Sequence, residues 1–398
     1  VLCVRCKGRL LCGKSRCPIL DAFKTRNVSL GEIDENPTPP SVFVGRIGYP
    51  KVFAGPMLVL GNENPELFEN PSLYSKRVED VLALRMGLAR TYRQFSVQSA
   101  LNPDRTLMEL QEIAGSIRNV EVEGKYERIV RKPALDDIMM PSGISAVFRD
   151  IRLTSNPKIP AKVEKVSDDE IKAVQAVRML HDHGFSTSYI QRVMSVGMLG
   201  IEKKLVPTRW SITAVHDIIA ESLKREIADF PEVGEVLLFS YEHYGNHFEV
   251  ILYPSSYFFQ LVEVWIEKSL WSPERTWVGS DREGIGKKRE YSELSGGYYA
   301  ARLPVVEYLH KIKRQAGAIV LREIRPEYSA PLGVWVVEEG VRKALESKPE
   351  RFDSVQQAIA RAESRLKTKR SLWERHITLS TQTSLDQFLG NSSPQPSR

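Results

Sequence analysis

Glu235-Val-Leu-Leu-Phe-Ser-Tyr-Glu-His243 and His247-Phe-Glu-Val-Ile-Leu-Tyr253, separated by Tyr244-Gly245-Asn246, read as two strands about a tight turn. In the second run apolar and polar residues alternate, with Phe248, Val250 and Leu252 on one face, which predicts a half-buried sheet. Upstream, Pro207-Thr208-Arg209-Trp210 leads into a helical pattern that ends at Ile227; downstream, 304–313 reads as a helix and 318–324 and 331–337 as strands. Hairpins and helices mixed in this way give an α/β protein of the α+β type.

Working outward, 398 residues with 42% hydrophobic and 27% charged side chains are enough for a substantial core in two or three domains. The apolar runs are strand-length, which excludes a membrane-spanning helix. The opening Val1-Leu-Cys-Val-Arg-Cys lacks the charged-then-apolar form of a secretory signal, so the expected location is the cytoplasm. A net charge of +6 is compatible with a polyanionic partner without requiring one.

A second hairpin signal runs from Ser41-Val-Phe-Val-Gly45-Arg46-Ile-Gly48-Tyr49-Pro50 into Lys51-Val-Phe-Ala-Gly55. Arg46 and Tyr49 near its turn offer a cation and a ring to a ligand, although a plain hairpin accounts for them too. A helix is expected over 75–92, with Val78, Val81, Leu82, Leu88 and Ala89 inward. Ser167-Asp-Asp-Glu170 has the form of a capping box opening another helix, and 187–196 follows as its partner with Ile190 and Val193 inward. That pair resembles a DNA-reading helix-turn-helix, and a generic helical hairpin is the commoner explanation.

Four groups carry candidate chemistry. Cys3, Cys6, Cys12 and Cys17 are the only cysteines, and four thiolates on a short loop with Gly8, Gly13 and Pro18 as turn-formers suit a structural Zn²⁺ with no open position for substrate. Two disulfides or free thiols compete with that reading; a reducing cytoplasm disfavours the first and the clustering the second. Pro103-Asp104 with Glu123 and Lys125 fits formally the carboxylate-and-lysine pattern of one class of metal-dependent nucleases. An N-terminal helix residue and an exposed strand face are the simpler readings.

The third group lies within 279–302, where glycines, cations and tyrosines are concentrated. Lys287, Lys288, Tyr298, Tyr299 and Arg302, with Arg46 and Tyr49, are the candidates for binding nucleic acid or a nucleotide. Asp281, Glu283, Arg302, Arg322 and Glu323 are the candidates for any catalytic role, and punctuation between domains explains the same composition. A strongly charged, helical stretch over 341–376 either lies along DNA or is a solvated face.

The fourth is Gln382-Thr-Ser-Leu385-Asp-Gln-Phe388-Leu389, in a polar stretch with little else to pack, which reads as a disordered tail. In one helical turn Leu385, Phe388 and Leu389 share a side, and such a turn forms only against a receiving groove. The octet looks like the motif by which replication and repair proteins dock on the sliding clamp (PCNA). Gln382 would be the polar plug, and Leu389 stands where a second aromatic is common.

Taken in order, the cysteine knuckle, Val44-Gly-Arg-x-Gly-Tyr-Pro50, Gly296-Gly-Tyr-Tyr-Ala-Ala-Arg302 and the clamp motif resemble the archaeal Nre DNA-repair family. The resemblance spans essentially the whole chain. It implies a long N-terminal region joined to a smaller C-terminal one, a role in DNA-damage repair and recruitment by the archaeal clamp, and supplies no agreed reaction. The expected organisation is a zinc knuckle over 1–20, α/β regions over 21–275 and 276–378, and a flexible tail over 379–398. A binder of damaged DNA, an enzyme acting on DNA or a nucleotide-like modification, and a clamp-bound adaptor all remain open.

Overall fold

The computed structural model describes residues 2–26, 33–61, 63–69, 75, 77–136 and 139–379, the side chains of residues 2 and 33–37 excepted. The clamp motif at 382–389 lies outside the described residues. The mixed α/β class holds, and two six-stranded sheets organise what is described. The first contains β1 (Ile33–Thr38), β2 (Val42–Val44), β3 (Lys51–Val59), β4 (Leu88–Ser96), β5 (Val120–Val130) and β6 (Ser145–Leu153), in the order β1-β5-β6-β4-β3-β2. The second contains β7 (Val236–His243), β8 (Asn246–Tyr253), β9 (Phe258–Trp265), β10 (Trp277–Gly284), β11 (Gly317–Ile324) and β12 (Glu350–Phe352), in the order β10-β9-β11-β8-β7-β12. Each sheet is antiparallel except for one parallel pair, β4 with β6 and β9 with β11.

The β7–β8 turn is tighter than the sequence suggested. His243 pairs with Asn246, leaving Tyr244 and Gly245 as a two-residue loop with φ of 49° and 68°. Two positive φ values give the mirror-image turn whose twist matches that of the flanking strands. A Cβ on Gly245 would come within 2.5 Å of the Tyr328 amide nitrogen, so glycine is needed here for space as well as conformation.

The sheet is not half-buried, because helices cover both of its faces. All eight residues of β8 are buried. Phe248, Val250 and Leu252 pack with Val337, Val341 and Ala344 of the helix Trp335–Glu346. Ile251 and Tyr253 pack on the opposite side with Ala358 and Ile359 of the helix Val355–Glu363, beside the fully buried Trp373. The chain then returns to the sheet: Gln260 donates to the His376 carbonyl at 2.7 Å and accepts from the Thr378 amide at 2.8 Å.

Several expected boundaries move. Among the described residues of 75–92 only Val78–Met86 is helical, and Leu88 and Ala89 are buried in β4, where pairing on both sides outweighs helical spacing. Ser167 lies in the last turn of the helix Ala161–Asp168, and the next helix, Ala173–Asp182, opens where the Lys172 amide donates to Gln175. The helix expected at 304 begins at Gly296 and runs to Ile312, with Pro304 inside it. The stretch 331–337, expected as a strand, enters the helix Trp335–Glu346. The expected boundary between 275 and 276 falls between β9 and β10, hydrogen-bonded neighbours in one sheet.

Candidate nucleic-acid interface

The first-sheet turn after β2 meets the start of the helix Thr208–Ile227, and this contact builds a cleft. The Val44 amide donates to Thr208 Oγ1 at 2.9 Å, and the Tyr49 ring lies 5.1 Å from that of Trp210. Arg46, Arg209, Trp210, Asp217, Tyr291 and Tyr299 line the resulting opening of about 700 Å³. Tyr291 lies 5.4 Å from Tyr299 on the opposite wall. Tyr49, Trp210 and Tyr291 are exposed by 50%, 43% and 55%, and Ile47 by 79%. Large rings left in water beside cations mark a surface built to touch something.

Beneath the cleft lies a buried charge network. Arg302 is inaccessible to solvent and donates to Asp217 at 2.6 Å, Glu221 at 3.2 Å and Glu283 at 2.8 Å. Lys224 joins it, 2.6 Å from Glu221 and 3.1 Å from Glu283. Burial opposes the charge on Arg302, but the carboxylates of Glu283 and Asp217 outweigh it and hold the guanidinium pKa above its usual value. The network joins the helices Thr208–Ile227 and Gly296–Ile312 to β10, so it fixes the cleft floor.

The expected candidates therefore separate. Arg46 and Tyr299 line the cleft, while Tyr49 and Arg302 flank and underlie it. Tyr298 is fully buried, its ring 5.2 Å from that of Phe259, so it offers no stacking plane. Lys287 is exposed, whereas Lys288 pairs with Asp281 at 2.7 Å. Burial works against the Asp281 carboxylate, and the Lys288 bond still keeps its pKa low. Glu283 belongs to the Arg302 network. Glu323 accepts from Arg325 Nε at 2.8 Å, from the Lys367 amide at 3.0 Å, and from Thr368 through its amide at 2.9 Å and its hydroxyl at 2.7 Å. Neighbouring strand residues face opposite ways, so Arg322 points away from Glu323 and lines a separate cavity with Glu263. The five catalytic candidates do not converge.

The nuclease pattern does not assemble either. Asp104 caps the helix Arg105–Gly115 by accepting from the Leu107 amide at 2.8 Å, and Glu123 and Lys125 occupy the exposed face of β5. In the presumed helix-turn-helix, Ile190 and Val193 are buried as expected, inside one continuous core.

Cys3, Cys6, Cys12 and Cys17 line one cavity of about 530 Å³, all as free thiols. The Leu11 amide donates to Cys6 Sγ at 3.3 Å. Burial, and then the neighbouring Cys17, Cys12 and Cys6, push the Cys3 thiol up to about 12. Among the described residues, however, no three His, Cys, Asp or Glu side chains are grouped to hold a metal ion.

The residues that the sequence reading missed are Arg209, Trp210, Asp217, Glu221 and Lys224, spaced along one helix, and Glu263. One signal was available: three of the six tryptophans fall at 265, 271 and 277.

Residues 11–272 match the family model described as archaeal Nre, N-terminal, and residues 283–388 match archaeal Nre, C-terminal. The chain is 52% identical over 393 residues to the DNA repair protein NreA of Archaeoglobus fulgidus, covering 98% of this chain and 99% of that one. It is 34% identical to the DNA repair protein NreB of the same organism, over 90% of this chain and 91% of the relative. To the DNA repair protein NreA of Haloferax volcanii it is 35% identical, over 78% of this chain and 77% of the relative. No solved structure matches it significantly.

Proposed function

The chain belongs to the archaeal Nre family, and on that premise we propose that it is a DNA-repair protein whose folded body holds DNA in the Arg46–Trp210–Tyr291 cleft. The names of its relatives support the repair role. The observation that supports DNA contact is the gathering of Arg46 and Arg209 with the exposed rings of Tyr49, Trp210 and Tyr291 on one open face. Guanidinium groups match phosphate oxygens, and aromatic rings stack on bases of any sequence. Bases inside a regular duplex offer no free face, so the cleft suits a single-stranded or distorted strand. Anisotropy titrations with a labelled single-stranded oligonucleotide at several salt concentrations test it. Affinity should fall steeply with salt, and Trp210→Ala should weaken it roughly ten-fold, as loss of one stacking plane does. Binding that is indifferent to both salt and Trp210→Ala would remove the cleft from the account and favour an adaptor.

The same proposal places the protein in the cytoplasm and gives it the sliding clamp (PCNA) as a partner through Gln382, Leu385, Phe388 and Leu389. Docking there would turn encounters with DNA at the clamp into an intramolecular event, so that weak affinity in the body suffices. Calorimetry with the clamp should lose its signal when residues 381–398 are deleted or when Leu385 and Phe388 become alanine. Unchanged affinity in both variants would refute recruitment by this route. Among the described residues no helix is long and apolar enough to cross a membrane.

Zinc is the third part of the proposal. Four thiols around one cavity and an amide donating to one sulfur suit a structural Zn²⁺ on Cys3, Cys6, Cys12 and Cys17. Bound there, the ion would supply folding energy to a segment too small to bury a core. Metal analysis of freshly purified, reduced protein should find one equivalent, and finding none would refute it.

A further inference from the structure

A second cavity, of about 710 Å³, lies on the side of the second sheet where β9 meets the N-terminal turn of the helix Gly296–Ile312. Trp265, Trp271, Trp277 and Tyr328 line it. Trp265 and Trp271 meet edge-to-face at 4.6 Å, and Trp271 lies nearly parallel to Tyr328, 28° apart. Trp277 pairs with Trp265 across β9 and β10 and is 45% exposed at the rim. A polar pair sits among the rings. The parallel register of β9 and β11 sets Arg322 opposite Glu263, with Nη1 and Oε1 2.6 Å apart.

Both members of the pair keep capacity for a ligand. Arg322 is 5% exposed; its Nε and Nη2 donate to Asn246 Oδ1 at 3.0 and 2.6 Å, and each terminal nitrogen carries a second N–H. Glu263 Oε2 takes a long bond of 3.3 Å from Trp265 Nε1 and has a lone pair to spare. Gly296 and Gly297, also on the cavity wall, begin a helix whose preceding Ser295 makes no side-chain capping bond. Their amides lie where a helix leaves N–H groups without intrahelical acceptors. The volume suits a drug-sized ligand.

We infer that this cavity binds a single nucleotide. The base would stack against the indole walls, its edge would take an N–H from Arg322 and give one to Glu263, and its phosphate would rest on the first amides of the helix. The chemistry of the cavity is the same whether the nucleotide is free or belongs to a DNA strand and is turned out of the stack. Arg5, from the cysteine segment, also lines the cavity, so the N-terminal residues form part of its wall.

The test uses the full chain and its intrinsic tryptophan fluorescence. Mononucleotides are titrated first; a short DNA duplex with one mismatched pair then competes against a labelled mononucleotide. Saturable mononucleotide binding, weakened roughly ten-fold by Trp277→Ala and left unchanged by Trp210→Ala in the other cleft, supports the site. Competition by the mismatched duplex that Trp277→Ala abolishes identifies the strand as a source, and its absence assigns the cavity to free nucleotides. Trp277 is chosen because its exposure makes the variant tolerable to the fold, and Arg322→Lys provides a second variant that keeps the charge but not the planar fork. If neither mononucleotides nor the duplex bind in a Trp277-dependent way, the inference is overturned while DNA binding in the Trp210 cleft still stands. Binding unchanged in both Trp277→Ala and Arg322→Lys also overturns it.

Discussion

The two sheets have the same number of strands and one parallel pair each, yet β5 of the first and β8 and β11 of the second treat charge in opposite ways. In the first, β5 alternates between buried Val120 and Val122 and exposed Glu121, Glu123 and Lys125, so its ionic groups stay in water. In the second, β8 and β11 are buried along their whole length, and Glu249, Arg322 and Glu323 go in with them. Buried charges must be matched one by one: Glu249 takes His247 at 2.7 Å and Arg365 at 2.9 Å, and Glu323 takes Arg325 at 2.8 Å. A charge on β5 is a surface choice; a charge on β8 or β11 is a commitment shared with its partners.

The comparison makes graded predictions, each checked by urea unfolding of the variant against the parent. The largest effect should come from Arg302→Ala, which leaves Asp217, Glu221 and Glu283 facing Lys224 alone. Breaking a buried pair this way costs about 3–5 kcal/mol, and a loss below about 1 kcal/mol would break the contrast between the sheets. Next is Glu338, on the helix that covers β8. Burial works against its carboxylate, but His216 at 3.0 Å and Arg342 at 2.9 Å outweigh burial and bring its pKa down from 4.5 to about 2. A depressed carboxylate contributes stability above its unfolded pKa and loses it as pH falls through the folded value. Glu338→Gln should therefore cost on the order of 3 kcal/mol at neutral pH and flatten the decline in stability between pH 4.5 and 2, which unfolding at a series of acid pH values would reveal.

Smaller effects belong to the exposed charges of the first sheet and its helices. Asp104→Ala removes a helix cap and a 2.5 Å bridge to Arg93 that is partly exposed, and should cost about 1 kcal/mol. Glu123→Ala should change stability by less than about 0.5 kcal/mol. A larger loss at Glu123 than at Asp104 would mean that the exposed face of β5 has a role beyond solvation.

What was legible in the sequence follows the same division. The β2–β3 and β7–β8 hairpins could be read because turn residues and strand patterns are local. The cap at Asp104 could be read for the same reason, as could the helix ending at Ile227. The double burial of β8 could not, since the helices that cover it come roughly ninety to a hundred and ten residues later and alternation alone predicts one wet face. Leu88 and Ala89 fitted a helical stripe until pairing with β3 and β6 claimed them. The candidate residues in 279–302 were chosen for chemistry, and burial then sorted them: Tyr298 and Arg302 became interior parts, and Tyr299 stayed at the cleft edge. Glu263 resembled any strand carboxylate until β11, more than fifty residues on, set Arg322 opposite it.

The bonds from Gln260 to His376 and Thr378 have a consequence for whatever follows them. They moor the chain to the second sheet as far as Thr378, so whatever the following residues engage is tied to a fixed post. The six residues from Leu379 to Leu385 can span about 20 Å at full stretch. On so short a leash, a ring gripping Leu385 would be held close to one flank of the body, and that nearness would dictate which side of the protein meets the double helix threaded through it.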